Sequence, residues 1–266
     1  MKLPFLQQPG FLECCTTAWR VIVAVVLRET KTRFGQNKLG YLWAIIEPVA
    51  YVAILLFIRS HLHSSIPFGE NLFVFFITGI LVYRTVMAIA GRTMKAITAN
   101  SALLTYPLVK PMDTVLARII LEALTMLFVF GVFFVFLAFV SEHEVIHYPS
   151  RFAAAIAAAI FLGAGVGTFN AVVSVLFPVW ERLWSILGFP LLMLSGIFYL
   201  PHKLPPAAQN VLYLNPILHC VEWLRYATYL DYAPMLNRSY VIGFAVVSMT
   251  VGMLLERVYR FSVVRP

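Results

Sequence analysis

Apolar residues in this chain gather into long runs instead of recurring at the two-, three- or four-residue spacings of soluble elements. Runs occur near 41–58, 72–90, 115–140, 152–179, 183–200 and 240–255. At about 1.5 Å of rise per residue they match a hydrocarbon core about 30 Å thick. The last run is short and borrows Ser239 and Glu256 at its ends, and the fourth is long enough to tilt. The pattern predicts an all-α membrane protein of six transmembrane helices, one domain over residues 1–266.

Three segments between the runs carry patterns of their own. Residues 12–34 place Leu12, Cys15, Trp19, Ile22, Val23, Val26 and Phe34 on one helical face and Glu13, Thr16, Thr17, Arg20, Arg28 and Lys31 on the other. The central VIVAVVL is too short to span, so a basic amphipathic helix lying in the inner interface is expected. The loop from Gly91 to Thr114 is the longest inner connection, and its helical-looking piece ends at Tyr106-Pro107. It suits the docking of a partner, although an ordinary solvated linker reads the same way. The outer segment 201–239 is proline-rich with two amphipathic stretches. Asn215 reads as an N-cap and Pro216 as the first helical residue, with Ile217, Leu218, Val221 and Leu224 on one face. Glu222 and Arg225, three apart, pair on the other, and these short helices are expected to lie on or dip into the outer leaflet.

Composition agrees with the runs: 61% of the residues are hydrophobic, 12% are charged and the mean hydropathy is +0.85. A soluble domain is about a quarter charged, so this composition excludes one. The net charge of +8 would otherwise suggest nucleic acid or anionic lipid, but its distribution decides. With the N-terminus inside, the inner segments carry fifteen of the 20 Lys and Arg, and the outer ones only Arg59, Arg151, Lys203, Arg225 and Arg238. That bias places both termini in the cytoplasm. All six histidines fall outside on the same scheme. The opening MKLPFLQQPGFLECC has no apolar core of a cleavable leader. Cys14, Cys15 and Cys220 form no disulfide framework or metal spacing.

Chemistry-bearing motifs are few. No GxxxxGK[ST] occurs, so ATP would have to be hydrolysed by a partner. Gly163, Gly165 and Gly167 follow a helical run, not a strand. The GxxxG of Gly163 and Gly167 therefore predicts close helix packing over nucleotide binding. His61/His63 and His143/His147, the latter beside Glu144, lack further ligands and read as solvated loop histidines. Glu47, Arg84, Arg118, Glu122 and Asn170 fall inside apolar runs, where charges face a bundle interior. Arg118 and Glu122 are placed to satisfy each other, whereas Glu47, before Pro48, needs a donor from elsewhere. Tyr41, Trp43, Tyr51, Trp180, Trp184 and Tyr199 sit mostly near run ends, as an aromatic belt does, and a minority facing inward would stack on sugar rings.

LRETKTRFGQNKLGYLWAIIEP, residues 27–48, resembles the start of the bacterial capsule and O-antigen export permeases of the type-2 ABC superfamily, with Phe34-Gly35, the LGYLW of residues 39–43 and Glu47-Pro48. LPPAAQNVLYLNPILHCVEWLRYATY, residues 204–229, resembles a second motif of those permeases, through Leu204-Pro205, Asn215-Pro216, Glu222 and Arg225. The likeness is strongest to the capsule-export subgroup. It implies a homodimeric permease of the bacterial inner membrane, bound to two copies of a cytoplasmic ATPase that holds ATP and Mg²⁺. It also implies a periplasmic co-polymerase-type partner and a lipid-linked anionic polysaccharide as cargo. In that picture residues 12–34 and 92–106 face the ATPase, with Thr98, Ala99, Asn100, Ser101 and Leu103 in a coupling helix. Asn215, Pro216, Glu222 and Arg225 belong to an outer gate over 204–232. A polyanion needs cations at the entrance, for which Arg28, Lys31, Arg33, Lys38 and Arg84 are candidates, although they serve topology and headgroup binding equally well. Tyr41, Trp43, Tyr51, Trp184 and Tyr199 are the channel aromatics to test.

Other readings stay open: an O-antigen, teichoic-acid, lipid or drug exporter, an ATP-independent carrier, or a membrane-embedded transferase. A carrier should show inverted repeats, and none is visible. A transferase should show a catalytic carboxylate or histidine set, and none is convincing.

Overall fold

The computed structural model describes residues 11–34, 46–47, 49–50, 53–54, 57, 68–69, 71–140 and 146–260. Among them the helices are α1 (Phe11–Phe34), α2 (Leu72–Met94), α3 (Ala96–Ala99), α4 (Pro111–Val140), α5 (Pro149–Leu176), α6 (Trp180–Met193), α7 (Pro206–Leu212), α8 (Pro216–Thr228) and α9 (Arg238–Val258). Short 3-10 turns cover Ser101–Thr105 and Pro201–Lys203, and no strand occurs among the described residues. Four helices, α2, α4, α5 and α9, are long and apolar enough to cross a membrane. The expected first span, 41–58, falls largely outside the described residues; Ile46, Glu47, Val49, Ala50, Ala53, Ile54 and Phe57 are helical.

The bundle is organised around α5, whose small residues let neighbours approach. A Cβ on Gly163 would lie 2.9 Å from Ile89 Cβ, and one on Gly167 2.9 Å from Thr93 Cβ, both on α2. The GxxxG pair therefore does what its spacing predicts. Gly165 faces α9 instead, where a Cβ would fall 2.3 Å from Ala245 O, and Gly252 returns the contact against Phe169. Later residues of α5 meet later residues of both neighbours, so α2, α5 and α9 run in one direction.

Two expected elements differ. The run 183–200 is not one helix, because α6 has 14 residues and carries Pro190 inside it. About 21 Å of helix is too short to span alone. The chain nevertheless returns antiparallel along α2: Gly91 faces Trp184, Tyr83 donates to Gly188 O at 2.7 Å, and Phe76 meets Phe198 at 6.5 Å between ring centroids. After Leu194 the backbone unwinds through Gly196, at φ +68°, and its carbonyls turn to a buried arginine described below. The second difference is α8, which does not lie on the outer leaflet, the first of its two expected placements. Ile217 to Arg225 are all buried, between α2, α5 and α9.

α1 packs along α4 through Ile22 and Val25 against Ala117, while Trp19, Val23 and Leu27 stay exposed. The expected stripe therefore divides between protein and outside contact. The expected 92–106 helix is likewise divided, since α2 continues to Met94 before α3 and the 3-10 turn.

Replacing Gly165 by Leu should destabilise the protein by at least about 1–3 kcal/mol, because both α5 and α9 backbones must shift. Gly131→Ala, where a Cβ meets nothing within 4 Å, should be neutral or stabilising by up to about 1 kcal/mol. Thermal unfolding in detergent distinguishes the two, and equal behaviour would remove the close-packing account.

Candidate functional site

The turn after α2 is built on a buried base. Ala96, Ile97 and Leu104 are buried beneath it, while Thr98, Ala99 and Ser101 face outward. Asn100, only 3% exposed, ties the turn down. Its Nδ2 donates to Glu29 Oε1 at 2.7 Å and to Ala96 O at 2.9 Å, and its Oδ1 accepts from Arg28 Nη1 at 3.3 Å. Glu29 in turn places Oε2 2.9 Å from Arg118 Nε of α4. Leu103 adds an apolar contact to Ile22 and Val25. Buried polar groups are costly unless partnered, so this set fixes α1, the turn and α4 relative to one another.

These partners correct one expectation. Arg118 and Glu122 act on each other's charge, but neither is the other's nearest partner, because a better-placed opposite charge reaches each from another helix. Glu122, fully buried, accepts from Arg92 Nη1 of α2 at 2.7 Å. Glu29 and Arg92 carried no warning in the sequence beyond lying near apolar runs. Lys95 and Glu181, 3.4 Å apart, link the turn to α6 at a largely exposed position, where an ion pair contributes little.

Of the cations expected at the entrance, three can be placed among the described residues. Arg28 lies at the turn, Lys31 is exposed on α1, the Arg33 side chain and all of Lys38 fall outside the described residues, and Arg84 lies elsewhere. Arg84 is ten residues before the end of α2, about 15 Å along the axis, and forms an ion pair with Glu47. That pair supplies the donor Glu47 was expected to need. Beside it a cleft of about 640 Å³ is lined by Ile54, Tyr83, Arg84, Ser185, Phe189 and Phe198, among others. Of the aromatics singled out, Tyr41, Trp43 and Tyr51 fall outside the described residues. Trp184 packs at Gly91, and Tyr199 donates to Met193 O at 2.8 Å. Neither lines this cleft; Tyr83 and Phe198 do, and neither position stood out in the sequence.

The opposite end is held by Arg225. Asn215 caps α8 by accepting from Ile217 N at 3.1 Å, and Pro216 takes the first helical position, as expected. Arg225 is fully buried. It donates to Gly196 O at 2.8 Å, Ile197 O at 3.1 Å and Phe75 O at 3.4 Å, and its guanidinium lies 3.8 Å from the Phe75 ring centroid. Glu222 Oε1 is 3.6 Å from Nη1, so the expected pair exists, but inside the protein. Glu222 also accepts from Tyr232 Oη at 2.6 Å and Met235 N at 3.0 Å. Burial and the adjacent carboxylate push the Tyr232 phenol well above its usual value, so it stays a donor. Of the histidines here, two are held by backbone carbonyls, while His202 is exposed. His219 is buried with Nε2 2.9 Å from Tyr213 O, and His147 Nδ1 lies 2.6 Å from Thr228 O. His61, His63 and His143 fall outside the described residues.

Arg225→Leu would strand a buried carboxylate and release three carbonyls, with an expected loss of about 3–5 kcal/mol. Glu222→Gln should cost less, since its amide oxygen still accepts from one of Tyr232 and Met235 and Arg225 keeps its three carbonyls. Comparing the unfolding of the two variants tests this order, and a milder Arg225→Leu would refute it.

The profile of the ABC-2 type transporter family matches residues 20–229. Polysialic acid transport protein KpsM of Escherichia coli is 34% identical over 238 residues, which is 89% of this chain and 92% of KpsM. Capsule polysaccharide export inner-membrane protein CtrC of Neisseria meningitidis serogroup B is 30% identical over 83% of each chain. The inner-membrane protein BexB of Haemophilus influenzae, also named for capsule polysaccharide export, is 29% identical over 91% of this chain and 90% of its own.

Proposed function

The chain belongs to the ABC-2 type transporter family, and from that premise we propose that it is the permease subunit of an ATP-driven exporter of lipid-linked capsular polysaccharide. The observation that carries the reading is likeness over most of the chain to KpsM, CtrC and BexB, named for polysialic acid transport or capsule polysaccharide export. The permease resides in the bacterial inner membrane with both termini cytoplasmic, and two copies enclose the path. ATP and Mg²⁺ belong to a separate cytoplasmic ATPase, in keeping with the missing phosphate-binding loop. A periplasmic co-polymerase-type protein receives the glycan.

Each role has a physical support. The turn with Thr98, Ala99 and Ser101 outward presents a small surface on a buried base, suited to receive the ATPase stroke. Asn100, Glu29 and Arg118 then pass a displacement of the turn to α1 and α4 together. Arg28 and Lys31 near the turn favour an anionic glycan at the entrance, with Arg33 and Lys38 adjacent in sequence. The aromatic wall of Tyr83 and Phe198 tolerates successive sugars, because stacking does not require one hydrogen-bond pattern. Arg225 holds the unwound 196–197 segment as the inner hinge of an outer gate.

Cysteines introduced at Ala99 and Ser101 should cross-link to the ATPase in the assembled complex, and no cross-link from either in an intact complex would overturn the coupling role. Glu29→Gln keeps an acceptor for Asn100 but removes the charge facing Arg118. Export of surface glycan should fall about fivefold or more while ATP turnover and assembly persist, as expected for loss of one buried interaction. Lipid-linked anionic glycan should stimulate turnover more than a neutral one, and equal stimulation would count against the cargo class.

A further inference from the structure

The end of the bundle where α5 and α9 begin carries two arginines that meet aromatic rings and, among the described residues, no carboxylate. Arg151 lies in the first turn of α5, its guanidinium carbon 4.0 Å from the Tyr148 ring centroid and 4.5 Å from that of Tyr226. Arg238 opens α9 and lies 5.1 Å from the Trp223 ring centroid. Trp223 and Tyr226, three residues apart on α8, stand side by side, so two spanning helices each bring a guanidinium to neighbouring rings of one buried helix. The meeting is fixed by α8 itself: Tyr148 N donates to Ala227 O at 3.1 Å, and Asn237 N to His219 Nδ1 at 3.3 Å. Asp231, the one carboxylate in the loop from α8 to α9, is exposed and pairs with neither arginine.

Packing alone does not account for these charges. The N-terminal end of a helix carries positive partial charge, which disfavours a cation, and neither first turn holds an acidic residue to offset it. The segments expected outside are also poor in cations, and of their five, Arg225 is already buried against Glu222. A leucine or glutamine would cover the rings without the repulsion. A stacked guanidinium keeps one face on its ring and its N–H edge open, the form in which it takes a carboxylate through two parallel hydrogen bonds.

Beside Arg238 a cleft of about 540 Å³ opens, lined by Tyr213, Tyr226, Pro234, Leu236, Asn237 and Arg238. That volume is within the range of small-ligand sites. Arg238 and Tyr213 are exposed and the other four half-buried, so the wall is reachable from outside. Asn237 caps α9 with its Oδ1, 3.0 Å from Tyr240 N, and its Nδ2 has no acceptor among the described residues. The hydroxyls of Tyr213 and Tyr226 make no hydrogen bond among them either. Two aromatic rings, an amide donor, two hydroxyls and a guanidinium edge suit a pyranose that bears a carboxylate: ring face on aromatic, hydroxyls on amide and phenol, acid on arginine. A lipid headgroup phosphate would also meet the arginine, but it presents no rigid ring to lie on the tyrosines.

We propose that this cleft holds one carboxylate-bearing sugar, its acid on Arg238, its ring against Tyr213 and Tyr226 and a hydroxyl on Asn237 Nδ2, with Arg151 supplying a second positive charge on Tyr226. The choice of a sugar rests on the reading of the chain as an exporter of anionic glycan. Under that reading the cleft stands at the outer mouth, beyond the passage, where a hold on each emerging acidic unit opposes its return.

Titration calorimetry on the full-length chain in phosphatidylcholine nanodiscs tests this with three soluble ligands: a trimer of galacturonic acid, the same trimer as its methyl ester, and glycerophosphoglycerol, a lipid headgroup without tails. The acid should bind at least about tenfold more tightly than the ester, the ratio of one charge-assisted pair of hydrogen bonds. Arg238→Gln, a change at an exposed position, should abolish that ratio. Tyr213→Ala should weaken acid and ester alike by about threefold or more. No binding of the trimer, equal binding of acid and ester, a preference that survives Arg238→Gln, or unchanged binding by Tyr213→Ala would each overturn the proposal. Glycerophosphoglycerol binding as tightly as the acid would assign the cleft to lipid headgroups and overturn it too. The acid-to-ester ratio is read on the unaltered chain, so it decides even where a variant is unstable. Failure here, with ATP turnover of the complex still stimulated by lipid-linked anionic glycan, removes the cleft and leaves the exporter, whereas absence of that stimulation removes the exporter.

Discussion

A single buried guanidinium, that of Arg225, sets the form of half the molecule. A charge removed from water must find partners, and the Nη1 and Nη2 of Arg225 find them in the carbonyls of residues 196 and 197, in Phe75 O and in Glu222. For those carbonyls to be free, the chain after α6 cannot remain helical. Unwound backbone at membrane depth is tolerated only where its polar groups are satisfied inside protein, and Arg225 satisfies these. Gly79 has no Cβ because Ile197 and Arg225 Nη2 pass 3.2 and 3.3 Å from where it would lie. The end of α6, the burial of α8 and a glycine on α2 therefore share one cause.

The opposite end is fixed by the same kind of argument with different residues. Glu29, Asn100, Arg118, Glu122 and Arg92 link α1, α2, α4 and the turn. Between these two ends runs α6, pinned at Trp180 and Gly188 and otherwise the least buried helix of the bundle. Pro190 removes one ladder bond from it. A strut that is loosely packed along its length and firmly held at both ends can tilt without breaking the core. Under the proposed function, that is the motion that would connect the turn to the outer segment.

Much of this was legible in the sequence, and the exceptions share a reason. The GxxxG packing, the Asn215 cap and a helix over residues 12–34 follow from local spacing, and the structure has them. Arg118 and Glu122 have nearer partners than each other because spacing along one helix says nothing of stronger partners on others. The run 183–200 reads as a helix because its residues are uniformly apolar, and only the position of Arg225, 28 residues beyond Ile197, shows why it unwinds. Asn170 was legible as a membrane-depth polar residue, but its hydrogen bond from Trp180 Nε1 required the packing of α6.

The placement of the cations also bears on how a polyanion would be released. Four arginines at buried or membrane-depth positions each face a glutamate: Arg84 with Glu47, Arg92 with Glu122, Arg118 with Glu29 and Arg225 with Glu222. A passage lined by unpaired cations would hold every anionic repeat and slow its exit, since conduction needs sites weak enough to leave. Pairing reduces the field along the interior while still linking one helix to another. Arg28 and Lys31, which lie at the surface near the turn, face no glutamate across such a pair among the described contacts. Under the proposed function, selection for negative charge would then belong to the entrance, and movement beyond it to shape and aromatic contact.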